Sequence, residues 1–278
     1  MLRLIGSIAR MLLPGSVVRA LRGKHNSVYF RFFGNPTNLI SIKFSNLIGV
    51  SYLEWYGKRL STYTGRSAEE LAKSGYLKTG KEDLQAAINR GLKTEHSFYE
   101  FGTGQGRSSA HFIRYLQPHL FFGNDAAEGR VREFLEFMKL HELEDKHPTV
   151  WVNTSNDFGW VPIDRHFDYL WCNAVLCHMP DKDASAVIAN IKKIMHDDSK
   201  FLLVETAVDG SEKVMRYNFK DWFRPASWYI AEAQAAGLKA VEASEALSYG
   251  SGSHNKNAKP GDDQGFTYST FLLEITKK

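Results

Sequence analysis

The sequence predicts an α/β fold, a doubly wound Rossmann-like sheet of seven strands with an antiparallel last strand, plus a helical N-terminal extension. Between residues 96 and 278, short apolar runs alternate with helical patterns, as in a mostly parallel sheet covered by helices. A glycine-rich turn at residues 102–106 follows the first apolar run. Residues 248–265 join the last two runs without a helical pattern, so these two strands are expected to pair antiparallel.

The predicted elements divide the chain of 278 residues into two parts. Residues 1–95 are expected to form a helical extension that could cap a ligand site. Within it, Ser67 followed by two acids is typical of a helix start, and residues 82–90 indicate a helix that Gly91 ends. Residues 96–278 are expected to form the α/β domain.

The order of strands and helices in the α/β domain locates the expected ligand site. The predicted strands cover residues 97–101, 120–124, 149–152, 167–172, 201–205, 238–242 and 267–275. The predicted helices cover residues 107–116, 128–141, 184–195 and 227–236. Ligands of such sheets bind at the carboxyl ends of the strands where the winding reverses. The first strand is the natural reversal point, so we expect the site at the glycine-rich turn.

Composition excludes several classes of protein. A hydrophobic content of 43% and a charged content of 24% are typical of a globular protein with a large core. The net charge of +4 is modest and does not suggest a nucleic-acid binder, which usually carries a dense basic stripe. Cys172 and Cys177 lie inside an apolar run, and no further cysteine completes a metal site. We therefore predict no metal, a reducing compartment and a cytoplasmic location.

Residues 1–24 combine apolar side chains with arginines and a lysine. Arg10 interrupts what would be the apolar region of a signal peptide, and no apolar run reaches the roughly 20 residues of a membrane span. Two interpretations stay open. A basic amphipathic helix could lie on an anionic membrane surface as a peripheral contact. The favoured alternative is a helix that packs on the main domain, since any such helix is amphipathic.

The glycine-rich turn follows a buried acid and precedes a helix; its candidate ligand-binding residues are Glu100, Gly102, Thr103, Gly104 and Gly106. Glycine lets a backbone approach a ligand closely, and the free N–H groups of the next helix point at the same place. A dinucleotide-binding turn requires the spacing GxGxxG, but Arg107 occupies the third glycine position. This spacing and the antiparallel last strand disfavour an NAD-binding oxidoreductase.

Polar residues also follow the second, third and fourth strands. Asp125 ends the second strand, where a carboxylate can accept hydrogen bonds from ribose hydroxyls; it could also cap the next helix. Asp157 follows the third strand and could face an adenine ring or cap a turn. Asn173 and His178 follow the fourth strand.

At these residues the chain resembles a class I S-adenosylmethionine-dependent methyltransferase of the small-molecule type. Residues 100–106 resemble the acid-x-GxGxG cofactor loop of that family, Asp125 its ribose-binding acid and residues 157–162 its adenine-side loop. Residues 167–181 resemble its fourth-strand motif, residues 199–206 its fifth strand, and residues 224–243 its last helix and the following strand. The resemblance covers residues 96–278.

The resemblance implies the cofactor S-adenosyl-L-methionine and methyl transfer to a small molecule or to a glycan- or lipid-linked intermediate. The implied cofactor-binding residues are Glu100, Gly102, Thr103, Gly104, Gly106, Asp125, Asp157 and Asn173. Methyl transfer depends chiefly on proximity and orientation, and a base is needed only if the acceptor loses a proton. His178 is the candidate base, with a structural role as its alternative. A methyltransferase-fold binding protein that has lost catalysis is the alternative function.

The acceptor is expected between the N-terminal extension and residues 217–224. Aromatic residues beside Lys220 and Arg224 could bind an anionic or sugar-containing acceptor, or could simply pack. Members of the family that methylate nucleic-acid bases carry Asn or Asp, two prolines and an aromatic residue after the fourth strand. Asn173 is followed instead by Ala174, which disfavours that class.

Overall fold

A computed structural model describes residues 51–61, 67–78, 80–158, 165–217, 221–243, 252–253 and 267–277. Residues 1–24, with the two interpretations offered for them, lie outside the described residues, as does most of the connection 248–265. None of the helices within the described ranges combines the length and the apolar character needed to cross a membrane.

The described helices are α1 (Tyr52–Ser61), α2 (Ala68–Lys73), α3 (Gly80–Asn89), α4 (Ser109–Tyr115), α5 (Glu128–Leu140), α6 (Asp181–Asn190) and α7 (Ala226–Ala235). The described strands are β1 (Phe98–Phe101), β2 (Phe121–Asp125), β3 (Thr149–Val152), β4 (Phe167–Asn173), β5 (Met195–Val208), β6 (Met215–Tyr217), β7 (Asp221–Phe223), β8 (Leu238–Glu242), β9 (Gly252–Ser253) and β10 (Thr267–Lys277). Short 3₁₀ turns cover Glu144–Lys146, Leu176–His178 and Ile191–Ile194.

The main sheet has the strand order β3-β2-β1-β4-β5-β10-β8, and the short β9 pairs with β10. Strands β1 to β5 run parallel, whereas β10 lies antiparallel between β5 and β8. This confirms the predicted doubly wound sheet with an antiparallel last strand. The winding reverses between β1 and β4, so the carboxyl ends of these strands flank the crevice where ligands of such sheets bind.

Helices bury both faces of the sheet, which explains why its central strands are apolar almost throughout. In β1 all four residues are buried, and they alternate between the faces: Phe98 belongs to one apolar cluster, Tyr99 and Phe101 to the other. Helices α1, α6 and α7 contribute to the cluster that contains Tyr99. Helices α2 to α5 contribute to the cluster that contains Phe98. The three N-terminal helices therefore share both cores of the sheet.

The start of α2 follows the predicted capping pattern. The Ser67 hydroxyl oxygen accepts from the N–H of Glu70 at 3.2 Å, and the Glu70 carboxylate accepts from the N–H of Ser67 at 2.9 Å. This reciprocal capping box satisfies two donors that a helix start leaves free.

The chain between α6 and β5 differs from the prediction. Helix α6 begins earlier than expected and ends at Asn190, where the 3₁₀ turn follows, and β5 begins at Met195 instead of residue 201. Ser199 explains the early strand: its hydroxyl accepts from the N–H of His196 and donates to the carbonyl of Phe167. The register with β4 shifts at this point. A polar bulge therefore interrupts the apolar pattern that marks a strand.

An antiparallel hairpin of β6 and β7 forms a second small sheet that the sequence did not predict. Each strand has three residues, too few to show a reliable alternation of apolar and polar side chains. The hairpin overlaps the segment 217–224 that we expected beside the acceptor.

Candidate functional site

A cavity of about 350 Å³ lies at the carboxyl ends of β1 to β4, within the size range of small-molecule and cofactor sites. From the sheet it is lined by Glu100, Gly102, Thr103, Gly104, Asp125, Asn153, Asn173 and His178, among others. From the N-terminal helices and the turn after α2 it is lined by Leu53, Tyr56, Leu60 and Tyr76. The described part of the extension thus forms one wall of the cavity.

The strand order arranges the polar lining residues in a row. Asn153 follows β3, Asp125 ends β2, the glycine turn follows β1, and Asn173 ends β4. Neighbouring strands lie about 4.8 Å apart, so the row from β3 to β4 spans about 14 Å. The cavity is therefore an elongated groove across the edge of the sheet, suited to an extended ligand.

The glycines of the turn have different surroundings. Gly104 has a φ of +54°, and a Cβ placed on it would meet no atom within 4 Å, so its backbone faces open space in the cavity. A Cβ on Gly102 would lie 2.5 Å from Cγ2 of Val175. A Cβ on Gly106 would lie 2.6 Å from Cε of Met138, and Gly106 does not line the cavity. Gly104 therefore provides the approach to a ligand, while Gly106 lets α5 pack against the turn.

Asp125 ties the end of β2 to the glycine turn. Its Oδ2 accepts from the N–H of Gly104 at 3.0 Å, and its Oδ1 accepts from the N–H of Ala127 at 2.9 Å. Burial raises the pKa of Asp125, although these two hydrogen bonds oppose the rise. Each carboxylate oxygen has a second lone pair, so Asp125 can still accept hydrogen bonds from a ligand.

Glu100 and Thr103 line the cavity from the buried side of the turn. Glu100 is only 4% exposed, and its carboxylate accepts from Oγ of Ser109 at 2.5 Å. Burial raises the pKa of Glu100 to about 8, against the effect of the Ser109 hydrogen bond. The hydroxyl oxygen of Thr103 is buried without a hydrogen-bond partner among the described residues. The turn therefore combines an acid that is largely protonated at neutral pH with an unsatisfied hydroxyl.

Asn173 reaches back to the N-terminal extension. Its Nδ2 donates to Oδ1 of Asp83 on α3 at 3.0 Å. Asp83 is fully buried; its carboxylate also accepts from the Ser108 hydroxyl and lies 3.1 Å from Nη2 of Arg107. Asp83 was not predicted, although one signal of it exists in the sequence. It lies three and four residues before Ala86 and Ala87, which places an acid on the apolar face of its helix.

His178 lines the cavity beyond the end of β4 and forms a pair with Asp221 of the β6–β7 hairpin. The His178 Nδ1 and Asp221 Oδ1 atoms are 2.6 Å apart, and the His178 ring stacks on Tyr56. Burial lowers the pKa of His178, but the hydrogen bond and the charge of Asp221 outweigh that effect and raise it. Asp221 was not predicted as a partner, because the short hairpin that carries it has no clear sequence pattern.

Two buried side chains hold the 3₁₀ turn that carries His178. Oε1 of Glu205 accepts from the backbone N–H groups of residues 175, 176 and 177. Arg224 is fully buried and donates to the carbonyl oxygens of Leu176 at 3.0 Å and Met179 at 2.6 Å. Its Nε also donates to Oδ1 of Asp181 at 2.9 Å, so the expectation that Arg224 could bind an anionic acceptor is corrected: its donors serve backbone carbonyls and a carboxylate of the protein. Lys220 lies outside the described residues.

Asp157 lies away from the cavity. Its carboxylate forms an ion pair with Lys193, its side chain is 56% exposed, and it does not line the cavity. Asn153 lines the cavity instead, four residues earlier; it is buried, and its Oδ1 accepts from the N–H of Ser155 at 2.9 Å. Both residues follow β3. The end of the strand therefore indicates which segment comes near the cavity, but it does not indicate which residue of that segment lines it.

The described residues contain no group of three or more histidine, cysteine or acidic side chains that could hold a metal ion. The residues that line the cavity carry carboxyl, amide, hydroxyl and guanidinium groups and one imidazole.

The sequence matches no protein-family model and no curated protein. Among solved structures, the fold is similar to the YcgJ protein from Bacillus subtilis, with a TM-score of 0.56 and 15% identity over 71% of this chain and 98% of that one. It is similar to magnesium protoporphyrin IX methyltransferase from Synechocystis PCC 6803 with bound S-adenosylmethionine, with a TM-score of 0.51 and 16% identity over 87% and 96% of the two chains.

A third similar structure is the glycopeptide N-methyltransferase MtfA complexed with S-adenosylmethionine, with a TM-score of 0.52 and 10% identity over 72% of this chain and 94% of that one. At such low identities the similarity shows the fold. The chain has the fold of a class I S-adenosylmethionine-dependent methyltransferase, as its sequence motifs implied.

Proposed function

We propose that this protein is an S-adenosylmethionine-dependent methyltransferase that acts on a small molecule or on a glycan- or lipid-linked intermediate. One observation carries the proposal. Asp125 lies beside Gly104, whose backbone faces open cavity, at the reversal point of a sheet with the class I methyltransferase fold. A ribose acid next to an unobstructed backbone is the arrangement that a nucleoside cofactor requires.

The proposed cofactor contacts follow the row of strand ends. Asn153 and Asp125 are assigned to the adenosine half, where Asp125 would accept from the ribose hydroxyls. Gly102, Thr103 and Gly104 would border the middle of the cofactor. Glu100 and Asn173 are assigned to the methionine half, where a carboxyl group and an amide suit a polar amino-acid end. Gly106 and Asp157 are left out because neither lines the cavity.

When bound, S-adenosylmethionine supplies an electrophilic methyl group, so the protein needs chiefly to hold and orient the acceptor. We assign His178 as the base that takes a proton from an acceptor hydroxyl or amine. Its Nδ1 is committed to Asp221, which leaves Nε2 as the proton-accepting atom. The Asp221 carboxylate would stabilise the imidazolium that forms, and so supports proton transfer.

The acceptor is assigned to the part of the cavity beside His178. Leu53, Tyr56, Leu60 and Met179 line the cavity with apolar and aromatic surface. A wall of this kind fits an acceptor with an apolar or ring-containing body next to its reacting hydroxyl or amine. The burial of Arg224 removes the support for recognition of an anion by that side chain.

Calorimetry on the full chain tests the cofactor assignment. We expect binding of S-adenosylmethionine and no binding of NAD; the reverse result would refute the proposal. In the Gly104→Val variant the side chain would enter the space that Gly104 leaves open, so we expect loss of cofactor binding. Gly210→Val is the matched control, because Gly210 also has a positive φ, of +71°, and no atom within 4 Å of a Cβ, but lies outside the cavity.

Methyl transfer is tested separately, with labelled S-adenosylmethionine and a panel of phenols, amines, sugars and lipid-linked sugars. Transfer that depends on His178 would support an enzyme. Tight cofactor binding without transfer to any acceptor would favour the alternative, a binding protein of the same fold that has lost catalysis.

A further inference from the structure

Behind the cavity wall lies a buried carboxylate, that of Asp83, which has no role in the site as assigned so far. Asp83 lies on α3, in the N-terminal extension, and its side chain is fully buried. It does not line the cavity, but three of its partners do: Arg107, Ser108 and Asn173. A buried carboxylate is costly unless it is paired, so its partners are constrained to stay in place.

Further contacts hold the region around α3 against the turn that follows β1. A Cβ on Gly80, the first residue of α3, would collide with the carbonyl oxygen of Arg107. Nε2 of His111 on α4 donates to the carbonyl of Leu77, just before α3, at 2.8 Å. These contacts hold the start of α3, and with it Asp83, close to the turn.

The pairing fixes two cavity groups at once. Nη2 of Arg107 lies 3.1 Å from Oδ2 of Asp83, and Nδ2 of Asn173 lies 3.0 Å from Oδ1. The Arg107 side chain keeps 24% of its surface exposed, and Arg107 is one of the residues that line the cavity. A guanidinium held in this way is a strong recognition group for a carboxylate.

We propose that Asp83 is a positioning residue for the amino-acid end of the cofactor. It holds the Arg107 guanidinium and the Asn173 amide where an α-carboxylate and an α-ammonium group would lie. The proposal rests on the proposed function. It also gives α3 a role in cofactor binding in addition to the expected role of the extension as a cap over the acceptor.

The test compares two ligands that differ at the amino-acid end. S-adenosylhomocysteine carries the α-amino and α-carboxyl groups, whereas 5′-methylthioadenosine carries neither. In Asp83→Asn, the guanidinium loses its charged partner and faces an amide that can present a donor. We expect the affinity for S-adenosylhomocysteine to fall at least about tenfold, the usual scale for a charged hydrogen bond. The affinity for 5′-methylthioadenosine should change less than about twofold.

Glu69→Gln on α2 is the matched control, because it removes the same charge from an exposed side chain of the extension. It should leave both affinities unchanged. Equal losses of both affinities in Asp83→Asn would assign a general structural role to Asp83 and overturn the proposal. Unchanged affinities would overturn it as well. If the wild-type protein binds neither ligand, the proposed function fails before Asp83 is tested.

Arg107→Gln tests the same proposal if Asp83→Asn does not fold. The Arg107 side chain is partly exposed, so its replacement is expected to disturb folding less. It should show the same selective loss for S-adenosylhomocysteine, and an equal loss for both ligands would refute the proposal. Where Asp83→Asn does fold, the loss of affinity in the double variant should be smaller than the sum of the two single losses, since Asp83 acts partly through Arg107. Additive losses would contradict this route.

Discussion

Replacing Glu100 with glutamine removes a buried titratable group from the cavity, and its effect on stability can be measured without any ligand. Glu100 is 4% exposed, and burial raises its pKa to about 8. The nearby charge of Asp83 adds to this rise, and that of Arg107 opposes it. In the unfolded chain the pKa of a glutamate is about 4.3. Between about pH 4.5 and 8, the folded protein therefore holds a proton that the unfolded chain has released.

This difference makes stability depend on pH with a definite sign. Because the folded state binds more protons, the free energy of unfolding falls as pH rises through this window, by about 1.4 kcal/mol per pH unit. From pH 5.5 to 7.5 the loss due to Glu100 amounts to about 2–3 kcal/mol. Glutamine has the same shape and can still accept from Ser109, but it does not titrate. Between pH 5.5 and 7.5, the free energy of unfolding of Glu100→Gln should therefore fall by about 2–3 kcal/mol less than that of the wild type.

Urea unfolding followed by tryptophan fluorescence measures this difference at pH 5.5, 6.5 and 7.5. Other groups that titrate in the window, such as His178, contribute equally to both proteins and cancel in the comparison. Glu136→Gln, an exposed change on α5, is the control and should follow the wild type. Parallel pH dependences for the wild type and Glu100→Gln would refute the assignment of a raised pKa to Glu100.

Two further predictions concern the turn that carries His178. Asp221→Asn should lower the pKa of His178, because the Asp221 carboxylate offsets the effect of burial; an unchanged titration midpoint of the His178 ring by NMR would contradict the pairing. Arg224→Met should lower the free energy of unfolding by about 2–4 kcal/mol, because it leaves buried carbonyl oxygens without donors. Arg114→Met on the exposed side of α4 should stay within about 0.5 kcal/mol of the wild type in denaturant unfolding, and a similar loss in both variants would contradict the role of Arg224.

The sheet could be predicted because its signals are local. Each parallel strand is buried on both faces, so it appears as a short apolar run between helical patterns, and β3 and β8 match their predicted bounds. The β6–β7 hairpin and the early start of β5 were not predictable in this way. The two hairpin strands have only three residues each, and the early start of β5 depends on the polar bulge at Ser199, so neither shows a local periodicity.

The same division applies to the candidate site. The glycine turn and Asp125 directly follow their strands, and parallel strands bring their carboxyl ends to one edge. The amino-acid order was therefore enough to place them together, as the hydrogen bond between Asp125 and Gly104 shows. Asp157 also follows its strand, but its neighbour Asn153 lines the cavity, because the direction of a side chain in a loop depends on its packing.

The sequence by itself determined the fold class, the reversal point of the sheet and the glycine turn, because these depend on periodicity and on the conformations open to glycine. The tertiary structure alone decided the partners of the polar side chains. Asp83 meets Asn173 across 90 residues of chain, and Asp221 meets His178 across 43. Such pairs form because burial of a charge requires a partner, and only the packed helices and strands determine which partner is within reach.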